Sequence, residues 1–453
     1  MIDVNETIER IGVRRLGVLV VALCFGMMIS DGYDFASLAV AVPAILRNWH
    51  VTPKAMGVVF SVTFIGLLVG SLFYGWLADR FGRKFTIVFG TLNFGIPVLL
   101  TVWAGNPTEL AVLRFVAGIG MGGVVPIAYT LVSDYAPRRS RSTVTVITNI
   151  GYSVGAALTG TVAAALIPHY GWQSLFVLGG CFSLVMALVL IFALPESPRY
   201  LALKNPGSAS LRKLMQRLLP EETITATTVF VPGDLQEKQT KAGSKDNFLQ
   251  LFYGPRRPAT ILLWLLFIAD ALSFFFLASW LPVVMERQGV APQIASLTQS
   301  LFIFMGITGG FIIMRFIDRY GPIVVLILPI VGAPLEILMG AQGLTLPILL
   351  SAVAGAGIGL SGVHYAVYAI AVRFYPASIR GRGVSSATVW GRAGGIIAPY
   401  LGGFFLSTHM PLQQLMLIAA APCILTALAT VGLGQLYSRH FEVYTEVQPS
   451  AAV

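Results

Sequence analysis

Two aspartates three residues apart, Asp31 and Asp34, lie inside the first long apolar run of the sequence. In a helix this spacing puts both carboxyl groups on one face, about one turn apart. An ionisable group inside an apolar span is costly and usually faces a cavity or a partner, and two carboxylates so close do not both ionise easily. The pair is therefore predicted to carry protons, and pairing with arginines that only lock helices together is the alternative. Gly32 between them permits either a close helix approach or a local break.

Arg114 and Arg392 are the basic residues that fall well inside apolar runs. A guanidinium stays charged at physiological pH and offers a planar fork of donors that matches a carboxylate. Arg392 lies near the middle of its run and is predicted to bind the carboxylate of an anionic substrate. Arg114 is predicted to regulate the pair of Asp31 and Asp34. For each arginine, a structural ion pair with no ligand contact is the alternative.

Other polar and aromatic residues lie at a similar depth. Asp270 is predicted to pair with Arg392 when the substrate site is empty, and His364 to hydrogen-bond a hydroxyl group if the substrate carries one on a ring. A counter-ion role for the aspartate and a helix-to-helix hydrogen bond for the histidine are the structural alternatives. Tyr33 directly precedes Asp34, and Trp390 lies two residues before Arg392, so we predict that both rings stack on a substrate that carries a ring.

The elements that must position these residues follow from the composition. Of the 453 residues, 56% are hydrophobic and 11% are charged, and the mean hydropathy is +0.79. Apolar runs of about 20 residues, enough to cross roughly 30 Å of hydrocarbon, predict an all-α membrane protein with twelve transmembrane helices. A soluble enzyme is excluded, and so is a β-barrel, whose strands would alternate in polarity. The spans are predicted near residues 16–46, 55–78, 85–104, 108–133, 144–167, 172–194, 259–285, 293–316, 322–341, 344–371, 383–407 and 411–437. Glu336 lies toward the outer end of the ninth span and is predicted to be interfacial.

The net charge of +10 is explained by the orientation of the loops in the membrane and does not indicate nucleic-acid binding. Most of the 30 lysines and arginines fall in alternate loops, so the positive-inside rule predicts that both termini are cytoplasmic. The sequence contains no metal-ligand cluster, nucleophile constellation or phosphate loop, so no enzyme activity and no cofactor are predicted. The lipid bilayer is the expected surrounding, and no protein partner is predicted.

An internal repeat relates the two halves of the chain. At an offset of 239 residues, segment 79–82 (DRFG) falls on segment 318–321 (DRYG), and Asp31 falls on Asp270. Two parallel six-helix halves with a site near the midplane between them is a transporter architecture. The domains are predicted as an N-terminal bundle at 1–194, a cytoplasmic linker at 195–258 with a short amphipathic helix near Leu211, and a C-terminal bundle at 259–453.

Residues 75–84 (GWLADRFGRK) resemble the signature loop of the major facilitator superfamily, and residues 195–199 (PESPR) resemble the loop that ends its first half. Arg114 with the glycines that follow it resembles the superfamily's motif in span 4. Residues 31–34 (DGYD) resemble the Asp-Gly-x-Asp motif of the aromatic acid:proton symporter family. This resemblance implies import of a benzoate-like or hydroxybenzoate-like carboxylate together with protons across the bacterial inner membrane.

Charged residues of the signature loop are predicted to act as a gate. Asp79, Arg80 and Arg83, with Asp318 and Arg319 in the second half, sit where charges can pair across the gap between helices. Such pairs would close the cytoplasmic side in one state and break in the other. A solvated loop that only sets topology is the alternative.

Three other functions stay open at this stage. Another organic anion, such as a sugar acid or dicarboxylate, would also use an arginine. A drug:proton antiporter of the same superfamily often carries a Gly-Pro pair in its fifth span, and residues 151–160 contain no proline. A membrane receptor that binds without transport is the third, and the 195–258 segment shows no signalling domain.

Overall fold

The computed structural model describes residues 2–219, 228, 230–231, 248–376, 379–408 and 410–441. The first part of the chain forms β1 (Ile2–Asp3), α1 (Val4–Ile11), α2 (Arg15–Trp49), α3 (Pro53–Phe81), α4 (Arg83–Leu100), α5 (Pro107–Asp134), α6 (Arg141–Tyr170) and α7 (Gln173–Ala193). Short 3-10 turns precede α5 and α6 at Thr101–Trp103 and Arg138–Ser140. The six spans predicted for the first half correspond to α2 to α7.

The described part of the linker contains α8 (Pro198–Lys204), α9 (Ala209–Leu218), the strand β2 (Phe230–Val231) and a 3-10 turn at Phe248–Phe252. Helix α9 is the short helix predicted near Leu211. Strand β2 pairs in parallel with β1 at the N-terminus, so the linker packs back onto the first half. Residues 220–227, 229 and 232–247 of the predicted linker lie outside the described residues.

The second half forms α10 (Arg256–Arg287), α11 (Pro292–Tyr320), α12 (Ile327–Leu338), α13 (Leu346–Ala356), α14 (Gly362–Arg373), α15 (Arg380–Ser407) and α16 (Leu412–Leu436). A 3-10 turn at Pro322–Leu326 leads into α12, and a π turn at Gly357–Ser361 joins α13 to α14 as one span. A final π turn, Tyr437–Phe441, follows α16. The helix ends lie within about one turn of their predictions.

Ten helices of the described residues are long and apolar enough to cross a membrane. The other two spans are the shorter Pro322–Leu338 and α15, which carries three arginines. Large apolar side chains are exposed around the bundle, for example Leu72 at 75% and Phe192 at 81%. Such exposure suits contact with lipid and confirms a multi-pass, all-α membrane protein with two six-helix halves.

Glycines bring the helices of the first half into direct backbone contact. A Cβ atom on Gly32 of α2 would lie 1.9 Å from the carbonyl oxygen of Tyr152 in α6. A Cβ atom on Gly70 of α3 would lie 2.0 Å from the carbonyl oxygen of Ile119 in α5. Because α2 continues as a helix past Gly32, this glycine serves close packing and does not break the helix.

The two halves contact each other closely at one face of the membrane domain. We call the face that holds the N-terminus and the turn between α3 and α4 the terminal face, and the other the opposite face. At the opposite face Arg47 of α2 forms an ion pair with Glu286 of α10. There a Cβ atom on Gly57 of α3 would lie 2.8 Å from the Pro399 carbonyl oxygen of α15. Toward the terminal face of the same helix, Gly75 has no other residue within 4 Å of a built Cβ atom.

Candidate functional site

Asp31 and Asp34 lie in the middle of α2, and both are buried, with 2% and 0% of the residue exposed. The carboxylate of Asp34 accepts two hydrogen bonds from Nη1 of Arg114, at 3.0 and 3.2 Å. The other amino group of Arg114 donates to the Thr101 hydroxyl at 3.4 Å, and the guanidinium lies 4.7 Å from the ring centre of Phe176. Arg114 therefore contacts the predicted proton pair directly, through Asp34.

Asp31 has different surroundings from Asp34. Within the described residues it has no ion pair, and its Oδ1 has no hydrogen-bond partner. Its electrostatic neighbours, besides Asp34, include the phenol groups of Tyr129 and Tyr152. A charged carboxylate is far more costly than a neutral acid in such surroundings. The two aspartates thus differ in chemistry, because one is matched to a fixed cation and the other is not.

A small cavity of about 20 Å³ adjoins the ion pair of Asp34 and Arg114. Phenylalanines from α2, α3 and α10 line it, namely Phe35, Phe60, Phe64 and Phe275. Phe64 of the first half and Phe275 of the second meet edge to face, with ring centres 4.6 Å apart. This volume holds about one water molecule. The two rings must therefore separate before a benzene ring can enter between them.

The sequence did not single out Phe35, Phe60 or Phe64. A signal was present, because Phe35 directly follows Asp34, and Phe60 and Phe64 are one helical turn apart. Phenylalanine is common in membrane helices, however, and the sequence does not tell which of the 28 phenylalanines face the interface between the halves.

Asp270 in the second half is buried, at 4%, and its carboxylate lies 2.7 Å from Nδ1 of His364. The imidazole stacks on the ring of Phe274, with centres 4.0 Å apart and planes within 8°. The predicted pairing of Asp270 with Arg392 is wrong for this structure, since His364 occupies that place. The position along a span gives the depth of a side chain but not the direction in which it points.

Arg392 lies on α15, and its Nη1 donates to the Ser71 hydroxyl and, at 3.5 Å, to the Leu67 carbonyl oxygen. Both acceptors belong to α3, so the guanidinium joins the second half of the protein to the first. Arg392 is half-buried and does not line the cavity beside Arg114.

Tyr33 and Trp390 also lie outside the cavity wall. The Tyr33 hydroxyl donates to the Leu175 carbonyl oxygen at 3.4 Å, within the first half. Trp390 is 41% exposed and packs against Trp264, with ring centres 5.6 Å apart. Their stacking on a substrate stays a prediction, and in this structure both rings pack against the protein.

The predicted gate residues lie at the terminal face. Asp79 is exposed and forms no ion pair in the part of the chain that the structure describes. The Arg80 guanidinium lies 5.5 Å from the ring of Trp76, and that of Arg83 lies 5.0 Å from the ring of Tyr200. The two arginines of this loop thus lie against aromatic rings, one on α3 and one on α8 of the linker.

In the second half, the Arg319 guanidinium lies 5.3 Å from the ring of Tyr320. The side chain of Asp318 lies outside what the structure describes. The gate role of the five charged residues stays a prediction.

Glu196, which follows α7, connects two of the sequence motifs by hydrogen bonds, namely residues 195–199 and the signature loop 75–84. Its carboxylate accepts hydrogen bonds from the backbone N–H groups of Arg83 at 2.9 Å, Lys84 at 3.2 Å and Ser197 at 2.8 Å. Burial raises the pKa of Glu196 above its usual range, although the three N–H groups act in the opposite direction. The loop that ends the first half therefore caps α4, which begins at Arg83, within the signature loop.

The same loop is fixed to α5. The Ser197 hydroxyl donates to the Asp134 carboxylate at 2.6 Å, and Arg199 forms an ion pair with Asp134 at 3.5 Å. The sequence identified residues 195–199 as a motif but not their partners, because the contacts cross from one helix end to another.

Replacing Glu196 with glutamine is expected to flatten the dependence of the thermal midpoint on pH. Because the folded pKa of Glu196 is raised, folding favours the neutral acid, and this stability is present below the ordinary pKa of 4.5 and lost as the pH rises through the raised value. Glutamine keeps an acceptor for the N–H groups but does not titrate.

Midpoints of wild type and Glu196→Gln in detergent, compared across this pH range, measure the difference. Glu109→Gln is the control, since Glu109 also accepts a hydrogen bond from a backbone N–H group but is exposed. Parallel midpoint curves for wild type and Glu196→Gln would contradict the assignment.

The chain was compared with known protein families. The model of the Major Facilitator Superfamily matches residues 23–335 and 263–440, which together span most of the sequence. The chain therefore belongs to the major facilitator superfamily. This confirms the family predicted from the signature loop and, because the superfamily and the relatives below are transporters, the prediction that the chain is not an enzyme.

Relatives with individual names are similar over almost the whole chain. The 4-hydroxybenzoate transporter PcaK of Pseudomonas aeruginosa is 34% identical, with 91% of each chain covered. The gallate transporter of Pseudomonas putida is 32% identical, covering 96% of this chain and 95% of its own. The benzoate transport protein of Acinetobacter baylyi is 29% identical, covering 94% and 91%. These matches confirm the resemblance to the aromatic acid transporter family that residues 31–34 predicted.

Solved structures with the same fold include a bacterial homolog of the human lysosomal transporter Spinster, in an inward-facing and unoccupied conformation. It is 17% identical, with a TM-score of 0.71 and coverage of 95% of this chain and 99% of its own. A D-xylose-proton symporter, also 17% identical, has a TM-score of 0.67 with coverage of 94% and 97%. At these identities the likeness shows the twelve-helix fold alone.

Proposed function

We propose that this protein imports an aromatic carboxylate, benzoate-like or hydroxybenzoate-like, together with protons across a bacterial inner membrane. The names of the relatives support the substrate class, since they transport 4-hydroxybenzoate, gallate and benzoate. Aromatic rings beside a buried cation suit a substrate that is itself a ring with one carboxylate.

The observation that carries this proposal is the ion pair of Asp34 and Arg114 in the cavity wall. A buried guanidinium needs one carboxylate as its partner. When Asp34 takes up a proton, it no longer neutralises Arg114, and the carboxylate of the substrate takes its place. Proton binding and anion binding therefore favour each other at this site, which is the requirement for symport.

Asp31 is the second proton carrier in this mechanism. It lies one turn from Asp34 on the same helix, is buried, and has no basic partner among the described residues. Its neutral form is the stable one while the site is closed to water, so a proton reaching this pair is retained during the change of conformation.

Arg392 is the other candidate for the substrate carboxylate. It joins α15 to α3 through Ser71, so it lies between the two halves. Loss of substrate binding in Arg392→Ala with full binding in Arg114→Ala would favour Arg392, and the reverse would favour Arg114.

Alternating access follows from how the two halves meet. With both termini cytoplasmic, as the positive charges of the loops favour, the terminal face is the cytoplasmic side. The halves touch at the opposite face through Arg47 and Glu286, and toward the terminal face no described neighbour meets a Cβ atom built on Gly75, which supports an inward-facing arrangement. Rocking of the 1–194 bundle against the 259–453 bundle, connected by the 195–258 linker, would open the opposite side.

Uptake of radiolabelled acids into proteoliposomes tests the proposal. An inward proton gradient is expected to drive accumulation of benzoate or 4-hydroxybenzoate, and an uncoupler is expected to abolish it. Vesicles without protein are the control, and a sugar acid and a dicarboxylate in the same panel test the other anions. A rate of uptake that does not change with the proton gradient would contradict symport. Accumulation of the non-aromatic acids alone would contradict the proposed substrate class.

A further inference from the structure

Glu336 of α12 is fully buried, with 0% of the residue exposed. Neither of its carboxyl oxygens has a hydrogen-bond partner among the described residues. The prediction that Glu336 is interfacial is therefore wrong, because its helix turns this side chain toward the interior of the second half. A buried acid without a partner needs an explanation that packing alone does not supply.

The described elements that pack most closely on α12, the helix of Glu336, carry no cation to neutralise it, and the one arginine of α14, Arg373, is the last residue of that helix. Helices α13 and α16 and the π turn Gly357–Ser361 pack on α12, and Cys423 of α16 is the titratable residue in these three elements. Helix α14 touches α12 more lightly, and its His364 is bonded to Asp270. A carboxylate with no cation beside it in hydrocarbon is costly, so Glu336 is held as the neutral acid.

A line of polar groups leads from Glu336 toward the centre of the protein. Cys423 is an electrostatic neighbour of Glu336, and its Sγ is 3.3 Å from the hydroxyl of Ser273. Ser273 lies one turn from Asp270 on α10. Asp270, Ser273, Cys423 and Thr426 line a cavity of about 10 Å³, and Glu336 is not part of its wall. Such a volume is at the lower limit for one water molecule.

The line ends at the interface between the halves. Asp270 is bonded to His364, whose side chain is 22% exposed. The imidazole also contacts Phe275, with ring centres 5.3 Å apart, and Phe275 lines the cavity beside Arg114. Glu336 is thus connected through polar groups to the edge of the candidate substrate site.

We propose that Glu336 is a proton-binding site of the second half, which exchanges its proton with the Asp270 and His364 pair by way of Ser273 and Cys423. This proposal rests on the proton coupling proposed above. It adds a site in the second half to the aspartate pair of the first, so the transporter would hold protons on both sides of its substrate.

Glu336→Gln keeps the shape of the neutral acid but cannot release a proton. In proteoliposomes, counterflow exchange of benzoate is expected to stay near the wild-type rate. Accumulation driven by an inward proton gradient is expected to fall by at least about fivefold, the lower end of typical coupling between two sites. Thr430→Val is the matched control, because Thr430 is also fully buried on α16 but bonds only to the carbonyl oxygen of Thr426.

Wild-type accumulation in Glu336→Gln would overturn the proposal. Loss of counterflow together with accumulation would also overturn it, since the residue would then be structural. If the wild type itself does not respond to the gradient, the proton coupling of the proposed function fails, and that outcome is separate from the behaviour of the variant.

Infrared spectroscopy of the purified protein tests the site without transport. The difference spectrum of wild type minus Glu336→Gln at neutral pH is expected to contain the carbonyl band of a protonated carboxyl group. In Cys423→Ala this band is expected to remain but to shift, because an electrostatic neighbour of Glu336 is removed. A carboxylate band in the difference spectrum would refute a proton on Glu336.

Discussion

Arg114→Ala is expected to abolish gradient-driven uptake and to destabilise the protein by about 3–5 kcal/mol, the typical cost of removing one partner of a buried ion pair. The side chain is buried, and its loss leaves the Asp34 carboxylate with no cation in the interior. Arg114→Lys keeps the charge but not the planar fork, so it is expected to recover part of the stability and little of the transport. Uptake in proteoliposomes and thermal midpoints in detergent measure the two effects.

Arg138→Ala is the control for this experiment. Arg138 also pairs with an acid, Glu9, but its side chain is 72% exposed and the two groups are 4.0 Å apart. Its replacement is expected to change stability by less than about 0.5 kcal/mol. Transport by Arg114→Ala at the wild-type rate would refute the role of the pair with Asp34 in coupling.

Gly70→Ala is expected to prevent correct packing of α3 on α5. The added methyl group would lie 2.0 Å from the Ile119 carbonyl oxygen, and a backbone atom cannot move aside as a flexible side chain can. Overpacking of this kind costs about 1–3 kcal/mol or more. The yield of monodisperse protein and its thermal midpoint are both expected to fall.

Gly75→Ala on the same helix is the matched control. No other residue lies within 4 Å of its built Cβ atom, and alanine is favoured over glycine in a helix by about 1 kcal/mol. Its midpoint is expected to equal or exceed that of wild type. Equal stability of the two alanine variants would show that the α3 and α5 backbones are farther apart than described.

The spans and the repeat could be predicted because hydrocarbon imposes length and polarity on every helix. The same constraint made Asp31, Asp34 and Arg114 conspicuous, since charged groups are rare in membrane spans. An unpaired charge in hydrocarbon has a high free energy, so such groups are expected to lie close to a partner. Depth in the membrane also follows from position along a span. The rotation of a helix does not, and this explains why Asp270 meets His364 and not Arg392.

Contacts between helix ends were also beyond prediction. Glu196 was visible as part of a motif, but its role as an acceptor for the N–H groups of Arg83 and Lys84 depends on how two loops fold together. Glu336 appeared peripheral for a related reason, because its position near a helix end does not reveal whether other helices cover it.

The ion pair between Arg47 and Glu286 joins two equivalent positions of the internal repeat. The two residues are 239 positions apart, the same distance that separates the internal repeats, so each occupies the place of the other in its own half. A chain built from two identical halves would bring two arginines or two glutamates together at this point, and like charges repel. The ion pair at this face therefore requires that the two halves differ in sequence at this repeat position.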